Sequence, residues 1–463
     1  MKSIQSKDMT KGSPWKRILH FAVPACLGLM FQQFYSMVDT MLVGRVLGVE
    51  SLAGVGSTGY LNFMVVYFCI GICSGFAIPV AQMFGAGKEE ELRRFVANSI
   101  WLGAALAGLL TGLVSYFCQA LLTGLRTPDD IFQYAYDYIL IIFLGLPCTF
   151  LYNLPANISR ALGDSRTPLL FLVFSSVLNI GLDILFLLPM GMGVQGAAWA
   201  TVISQGVSGL FCLFYVRRKF MILRFGKDDW KIRYDYVKRL ALMGLPMGLQ
   251  YSITGIGIIV IQFAVNQIGV AAVAGVTAAE KLYSLFVCPL EALGETMAPY
   301  AGQNMGAGRP ERIRQGAAAA SVCGFIWSAV CIPLLYFGGK PLTMLFVDGA
   351  EHEVIAYAFQ FLMVSIAGFA ILTLVYVLRF TLQGMGFSGI AMMGGVLEMF
   401  ARLLAGFVLA PRMGFMGICI SHPLAWLAAD LLLFPAFLKH GKDRNKRPAR
   451  LCEKSFVENG THN

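Results

Sequence analysis

Two aspartates stand inside stretches otherwise too apolar to hold them. Asp39 falls in the apolar run 18–42 and Asp183 in the run 167–189. A carboxylate at mid-bilayer costs about 2.5–3.5 kcal/mol on insertion scales, so one retained there is expected to have a task. Each has polar company at helical spacing. Tyr35 lies four residues before Asp39, and Asn179 four before Asp183, so each pair shares a helix face. Asn153 and Asn157 repeat that spacing at the end of a further apolar stretch, and Thr201 lies in the stretch 194–216. Two carboxylates with amides and hydroxyls either share a proton or form an oxygen cage for a hard cation such as Na⁺. The competing expectation is that each side chain packs alone, hydrogen-bonded to a neighbouring helix.

Other residues invite weaker readings. Phe31, Phe34, Met37, Phe63, Met64, Tyr67 and Phe68 crowd the first two apolar stretches and could stack on flat or cationic substrates, although packing against lipid explains any one of them as well. Glu280 beside Lys281 either lines a cavity or closes a salt-bridged interface between lobes. Glu398 and Arg402 are spaced to neutralise each other on one helix. Pro24 and Pro246 each open a helix after a basic approach, and a proline inside a helix frees a carbonyl and permits a bend. Gly54, Gly56 and Gly59 fit a GxGxxG pattern but follow no strand, so a nucleotide loop is not supported. A Walker A lysine motif, HExxH and GxSxG are all absent, which argues against an ATP-driven pump in one chain and against an enzyme.

The elements that must position these residues follow from composition. The chain has 463 residues, 57% hydrophobic and 13% charged, whereas a soluble domain carries roughly 25% charge. Twelve apolar stretches are each long enough to cross a hydrocarbon core of about 30 Å. The expected fold is an all-α polytopic membrane protein of twelve transmembrane helices in two pseudo-symmetric six-helix bundles. The first stretch follows Lys2, Lys7, Lys11, Lys16 and Arg17 but runs too long for a signal peptide, and is read as a retained helix. The net charge of +10 would suggest nucleic acid only if its placement were ignored. All but Arg45, Arg126, Lys281, Lys340, Arg379, Arg402 and Arg412 lie in the N-terminus, the even-numbered loops and the C-terminal tail. The positive-inside rule then makes both termini cytoplasmic, with no nucleic-acid partner. The eleven cysteines are scattered, with neither zinc nor disulfide spacing.

The stretches repeat. Gln82, Gly85, Ala86 and Gly87 reappear 221 residues on as Gln303, Gly306, Ala307 and Gly308. The same offset carries Gly54 onto Gly275, Gly163 onto Gly384 and Gly193 onto Gly414. A fixed offset of this length marks a duplicated fold, and an even number of crossings per half makes the repeat parallel. The expected division is an N-terminal six-helix lobe at 1–216, a cytoplasmic linker at 217–239, a C-terminal six-helix lobe at 240–438 and a basic cytoplasmic tail at 439–463. The offset sets Asp39 on Val260 and Asp183 on Leu404, so duplication kept the scaffold while both carboxylates stayed in one half.

Four groups of residues carry a family resemblance: the paired Gln…Gly-Ala-Gly turns, Arg160 to Ser165, Gly191 to Thr201, and Glu398 with Arg402 followed by Pro423 to Trp426. Over about residues 16–438 the chain resembles the multidrug and toxic compound extrusion (MATE) family, in the bacterial branch of the DNA-damage-inducible and staphylococcal-type exporters. The resemblance implies export of organic cations and amphipathic drugs in exchange for inward protons or sodium ions, with no cofactor, by a monomer in contact with membrane lipids in a bacterial inner membrane. It implies a cation-coupling site at Asp39, Asp183, Asn179 and Thr201, where Na⁺ would also bind, with Tyr35 and Asn153 beside it. Substrate is expected against Met37, Met64, Phe68, Tyr138, Asn157 and Glu280, and the first helix is expected to bend at Pro24. The chain departs from one family pattern: the stretch 240–265 holds no acidic residue where other members place a glutamate, which leaves the coupling to the first half. The alternative is a lipid-linked oligosaccharide flippase of the same two-bundle fold, for which a cavity lined with Arg or Lys would be expected.

Overall fold

The computed structural model describes residues 8–344 and 351–441. Every regular element among them is helical. Ten helices are long and apolar enough to cross a membrane, and two bent pairs bring the number to twelve. They are α1 (Pro14–Leu47), α2 (Gly59–Gly85), α3 (Glu89–Tyr116), α4 (Asp129–Leu144 with Leu146–Ala161), α5 (Arg166–Leu187), α6 (Gly193–Lys219), α7 (Tyr234–Ile268), α8 (Val270–Gly306), α9 (Pro310–Thr343), α10 (His352–Ala367 with Phe369–Met385), α11 (Ser388–Met413) and α12 (Phe415–Gly441). The two bent spans are the fourth of each half. They turn by 47° at Gly145 and by 53° at Gly368.

Two compact units divide the chain. One is Leu27–Ser252, and the other takes Met9–Cys26 together with the chain from Ile253 onward. The division therefore falls inside α1, two residues beyond Pro24, and inside α7, six beyond Pro246. The segment at 217–239, expected as a linker, packs on the first unit. Asp229 accepts from Arg93 Nε at 3.1 Å and from the Gly226 amide at 2.8 Å. Asn98 accepts from the Arg233 amide at 3.1 Å, and Trp101 Nε1 donates to the Trp230 carbonyl at 3.3 Å. Beyond Gly441 the basic tail lies outside the described residues.

The repeated glutamines have matching work. Gln82 Oε1 accepts from Arg239 at 2.7 Å, tying the end of α2 to the start of α7. In the second unit Gln303 Oε1 accepts from the Met9 amide at 2.9 Å, tying the end of α8 to the approach to α1. Each glutamine closes the turn whose following glycine has positive φ, +70° at Gly87 and +66° at Gly308. Only a residue without Cβ enters that region freely.

The offset is not constant, and this corrects the pairing of Gly163 with Gly384. A Cβ on Gly54 would lie 2.6 Å from Tyr134 Cβ, and one on Gly275 would lie 2.7 Å from Tyr357 Cβ. Gly54 and Gly275 are 221 apart, but Tyr134 and Tyr357 are 223 apart. The bends at Gly145 and Gly368 are also 223 apart, and Gly163 (φ +84°) matches Gly386 (φ +99°). Gly384 sits instead within α10. Two extra residues enter the second half before its fourth span, and the offset is back to 221 at Gly193 and Gly414, both at φ +60°.

Candidate functional site

Asp39 and Asp183 meet inside the first unit. α5 turns Leu170, Phe174, Val177 and Ile184 outward, which leaves Asn179 and Asp183 buried on its other side. α1 brings Asp39 and Tyr35 to the same place, α4 brings Tyr138 and α6 brings Thr201. The two carboxyl groups stand close enough to share one proton. Tyr35 and Tyr138 lie within the electrostatic reach of both.

Local hydrogen bonding explains which atoms are left over. Thr201 Oγ1 donates to the Ala197 carbonyl at 3.1 Å and accepts from Asn179 Nδ2 at 3.4 Å. That uses one of the two Asn179 amide hydrogens and leaves its oxygen unserved. Apart from the contact between the two carboxyls, Asp39 Oδ1, both Asp183 oxygens and Asn179 Oδ1 are shielded from solvent and accept no hydrogen bond. Among the described residues no Lys or Arg joins their electrostatic neighbours. Buried acceptors that receive no hydrogen bond in apolar surroundings are costly unless a proton or cation reaches them. The donor set, two carboxylates with an amide oxygen and a hydroxyl, suits a hard cation such as Na⁺, and the carboxyl pair suits a proton.

The remaining expected residues divide. Asn157 is buried, but its Nδ2 donates to the Asn153 carbonyl at 2.9 Å, and Asn153 Nδ2 donates to the Thr149 carbonyl at 2.9 Å. Both amide donors are therefore used within α4. Met37, Met64 and Phe68 are half-buried; the Met64 carbonyl accepts from Ser252 at 3.0 Å, and Phe68 packs on Gly248 of α7. Glu280 belongs to the second unit, where Lys281 and Tyr283 are its neighbours. Pro24 lies inside α1.

Sequence reasoning missed Tyr152 of α4 and offered Tyr67 of α2 only as a stacking surface; both join Tyr35. It also paired Glu398 with Arg402 without seeing the charged cluster around them. Glu398 pairs with Arg379 of α10 more closely than with Arg402, which lies 3.6 Å away. Asp430 is buried beside Arg379 and Glu398, and His422 packs among Tyr283, Phe361 and Trp426. Both arginines pair with Glu398, whereas among the described residues no Lys or Arg faces the acids of the first unit.

The fold and the duplication have a known counterpart. The MatE family model matches residues 24–185 and again 246–411, once in each half. The chain is 28% identical to the probable multidrug resistance protein YoeA of Bacillus subtilis over 442 residues, 93% of this chain and 94% of that one. It is 27% identical to the FAD transporter of Shewanella oneidensis over 335 residues, 71% of this chain and 74% of that one. Its structure resembles that of a multidrug resistance MATE family transporter in an outward-facing conformation, with a TM-score of 0.88 at 20% identity, over 96% of this chain and 100% of the other. With the model matched in both halves and the YoeA relative spanned nearly from end to end, this chain belongs to the MatE family of membrane transporters.

Proposed function

We propose that this protein exports organic cations and amphipathic drugs from a bacterial cell in exchange for protons or sodium ions. The carrying observation is the paired carboxylate of Asp39 and Asp183, with no basic residue among the described residues to neutralise it. Such a pair suits cationic partners of two kinds, a small ion and a larger drug, that take turns. Deprotonated carboxylates favour the drug. A proton or Na⁺ arriving from outside neutralises the pair, removes the drug's counter-charge and lets it leave. Each coupling charge moved inward gains about 2.3 kcal/mol per 100 mV of membrane potential, so two small charges against one monovalent drug remain driven.

The position of Pro24 beside the division within α1 suits a bend there during the exchange. The positive-inside rule orients both termini to the cytoplasm, and we take the protein to be a monomer of a bacterial inner membrane. Phosphate-bearing substrates, as the name of the Shewanella relative implies for that protein, fit this site less well, because its free atoms are acceptors. The flippase reading is not favoured for a related reason: buried Arg379 and Arg402 are already engaged by Glu398.

The test is drug efflux by reconstituted vesicles under an imposed pH gradient and then an imposed Na⁺ gradient. One of the two gradients should drive export, and Asp39→Asn or Asp183→Asn should reduce it to background. Full gradient-driven export by both variants would refute the mechanism.

A further inference from the structure

A groove of about 480 Å³ in the first unit lies outside the carboxylate site. Its floor is the small-residue face of α3, where Gly103, Ala104, Ala107 and Gly108 leave room that larger side chains would fill. Phe150 and Leu154 of α4 form one wall. The lining runs along α3 from Val96 to Gly108, twelve residues or about 18 Å at the helical rise. That is close to half of a hydrocarbon core of about 30 Å, the depth of one leaflet.

The ends of the groove differ. At the end near the basic loops stand Arg217 and Trp230. Trp230 is 39% exposed and packs edge-on against the exposed Trp101 with ring centres 6.3 Å apart, as aromatic residues do at headgroup level. The cations beside Arg217 are engaged: Arg218 lies over the Phe214 ring at 4.1 Å, and Lys219 pairs with Asp164 at 2.5 Å. Arg217 is exposed and, among the described residues, makes no ion pair. A one-leaflet apolar channel with an uncommitted guanidinium in its lining at the headgroup end matches one kind of molecule. A guanidinium pairs with phosphate through two parallel hydrogen bonds.

We propose that this groove binds one acyl chain of an anionic phospholipid whose phosphate is held by Arg217. The bound lipid would join α3, α4 and α6 to the packed segment that carries Trp230.

Delipidated full-length protein in detergent is mixed with equal amounts of dioleoyl phosphatidylglycerol and dioleoyl phosphatidylcholine, and the retained lipid is read by native mass spectrometry. Wild type should hold one phosphatidylglycerol in preference. Arg217→Gln alters an exposed side chain and should cut that preference about fivefold, since a basic residue near an anionic surface contributes about 1 kcal/mol. A Cβ on Gly108 meets nothing within 4 Å, so Gly108→Leu should fold, melt as wild type does, and retain neither lipid. Inorganic phosphate at millimolar concentration should not displace the lipid. Unchanged retention by Gly108→Leu, unchanged preference in Arg217→Gln, or displacement by phosphate alone would each overturn the proposal.

Discussion

At the scale of residues, the acids were legible because apolar runs make any charge conspicuous, and helical spacing then supplied Tyr35 and Asn179 as companions. What spacing could not supply was the partner across helices. Asn157 shares its four-residue spacing with Asn153 just as Asn179 shares it with Asp183, yet its donor ends on its own helix while Asn179 reaches Thr201. Tyr152 is one of 17 tyrosines, and nothing local distinguishes it from the rest. These different hydrogen bonds predict different phenotypes. Asn179→Ala removes an unserved acceptor from the carboxylate cluster and should weaken binding of the small coupling cation about tenfold, as expected for a hydrogen-bond contribution near 1.4 kcal/mol. Asn157→Ala should shift that affinity less than twofold. Competition between the ion and a labelled drug in purified protein measures both, and equal effects would show that the two asparagines do not differ in role.

At the scale of elements, helices were readable from hydropathy, whereas their junctions depended on side chains that no periodicity marks. Asp164 shows this. It had been noticed only as part of a family motif, yet its Oδ1 accepts the amides of Arg166 at 3.1 Å and Thr167 at 3.3 Å, which caps α5. Its Oδ2 takes Lys219 of α6 at 2.5 Å. Burial alone would raise this loop carboxyl, but the bonds from Lys219 and Thr167 outweigh that and hold it below the usual aspartate range. A folded-state value below the unfolded one means that stability is present above about pH 4 and is lost as pH falls through the folded value. Asp164→Asn keeps the capping oxygen but loses the charge. It should therefore be less stable than wild type by about 1.5–3 kcal/mol at pH 7, with the difference closing below about pH 4. Thermal unfolding across that range checks the sign, and a gap that widened on acidification would contradict the assignment.

For the whole molecule, the duplication was readable from a handful of glycines, and the family model finds it again in each half. Its two-residue slip was not readable, because Gly384 happens to stand where a constant offset would put the partner of Gly163. Only the contacts of Gly54 and Gly275, and the matching φ values of Gly163 and Gly386, reveal that the fourth span is displaced. The compact units were likewise not legible: they divide within α1 and α7 instead of at the basic segment between the halves, since packing, not polarity, decides where a helix belongs. What duplication left unequal is the chemistry. In the second unit Glu398 is paired with Arg379 and Arg402, whereas among the described residues Asp39 and Asp183 face no Lys or Arg. That inequality is why exchange is assigned to the first unit, and it can be measured on the protein at rest. When tetraphenylphosphonium is added to purified protein in weakly buffered solution, a pH indicator and a sodium electrode together should record release of protons or Na⁺ as the drug binds. The Asp39→Asn, Asp183→Asn double variant should release neither. Undiminished release from the double variant would place the exchange elsewhere and contradict the account.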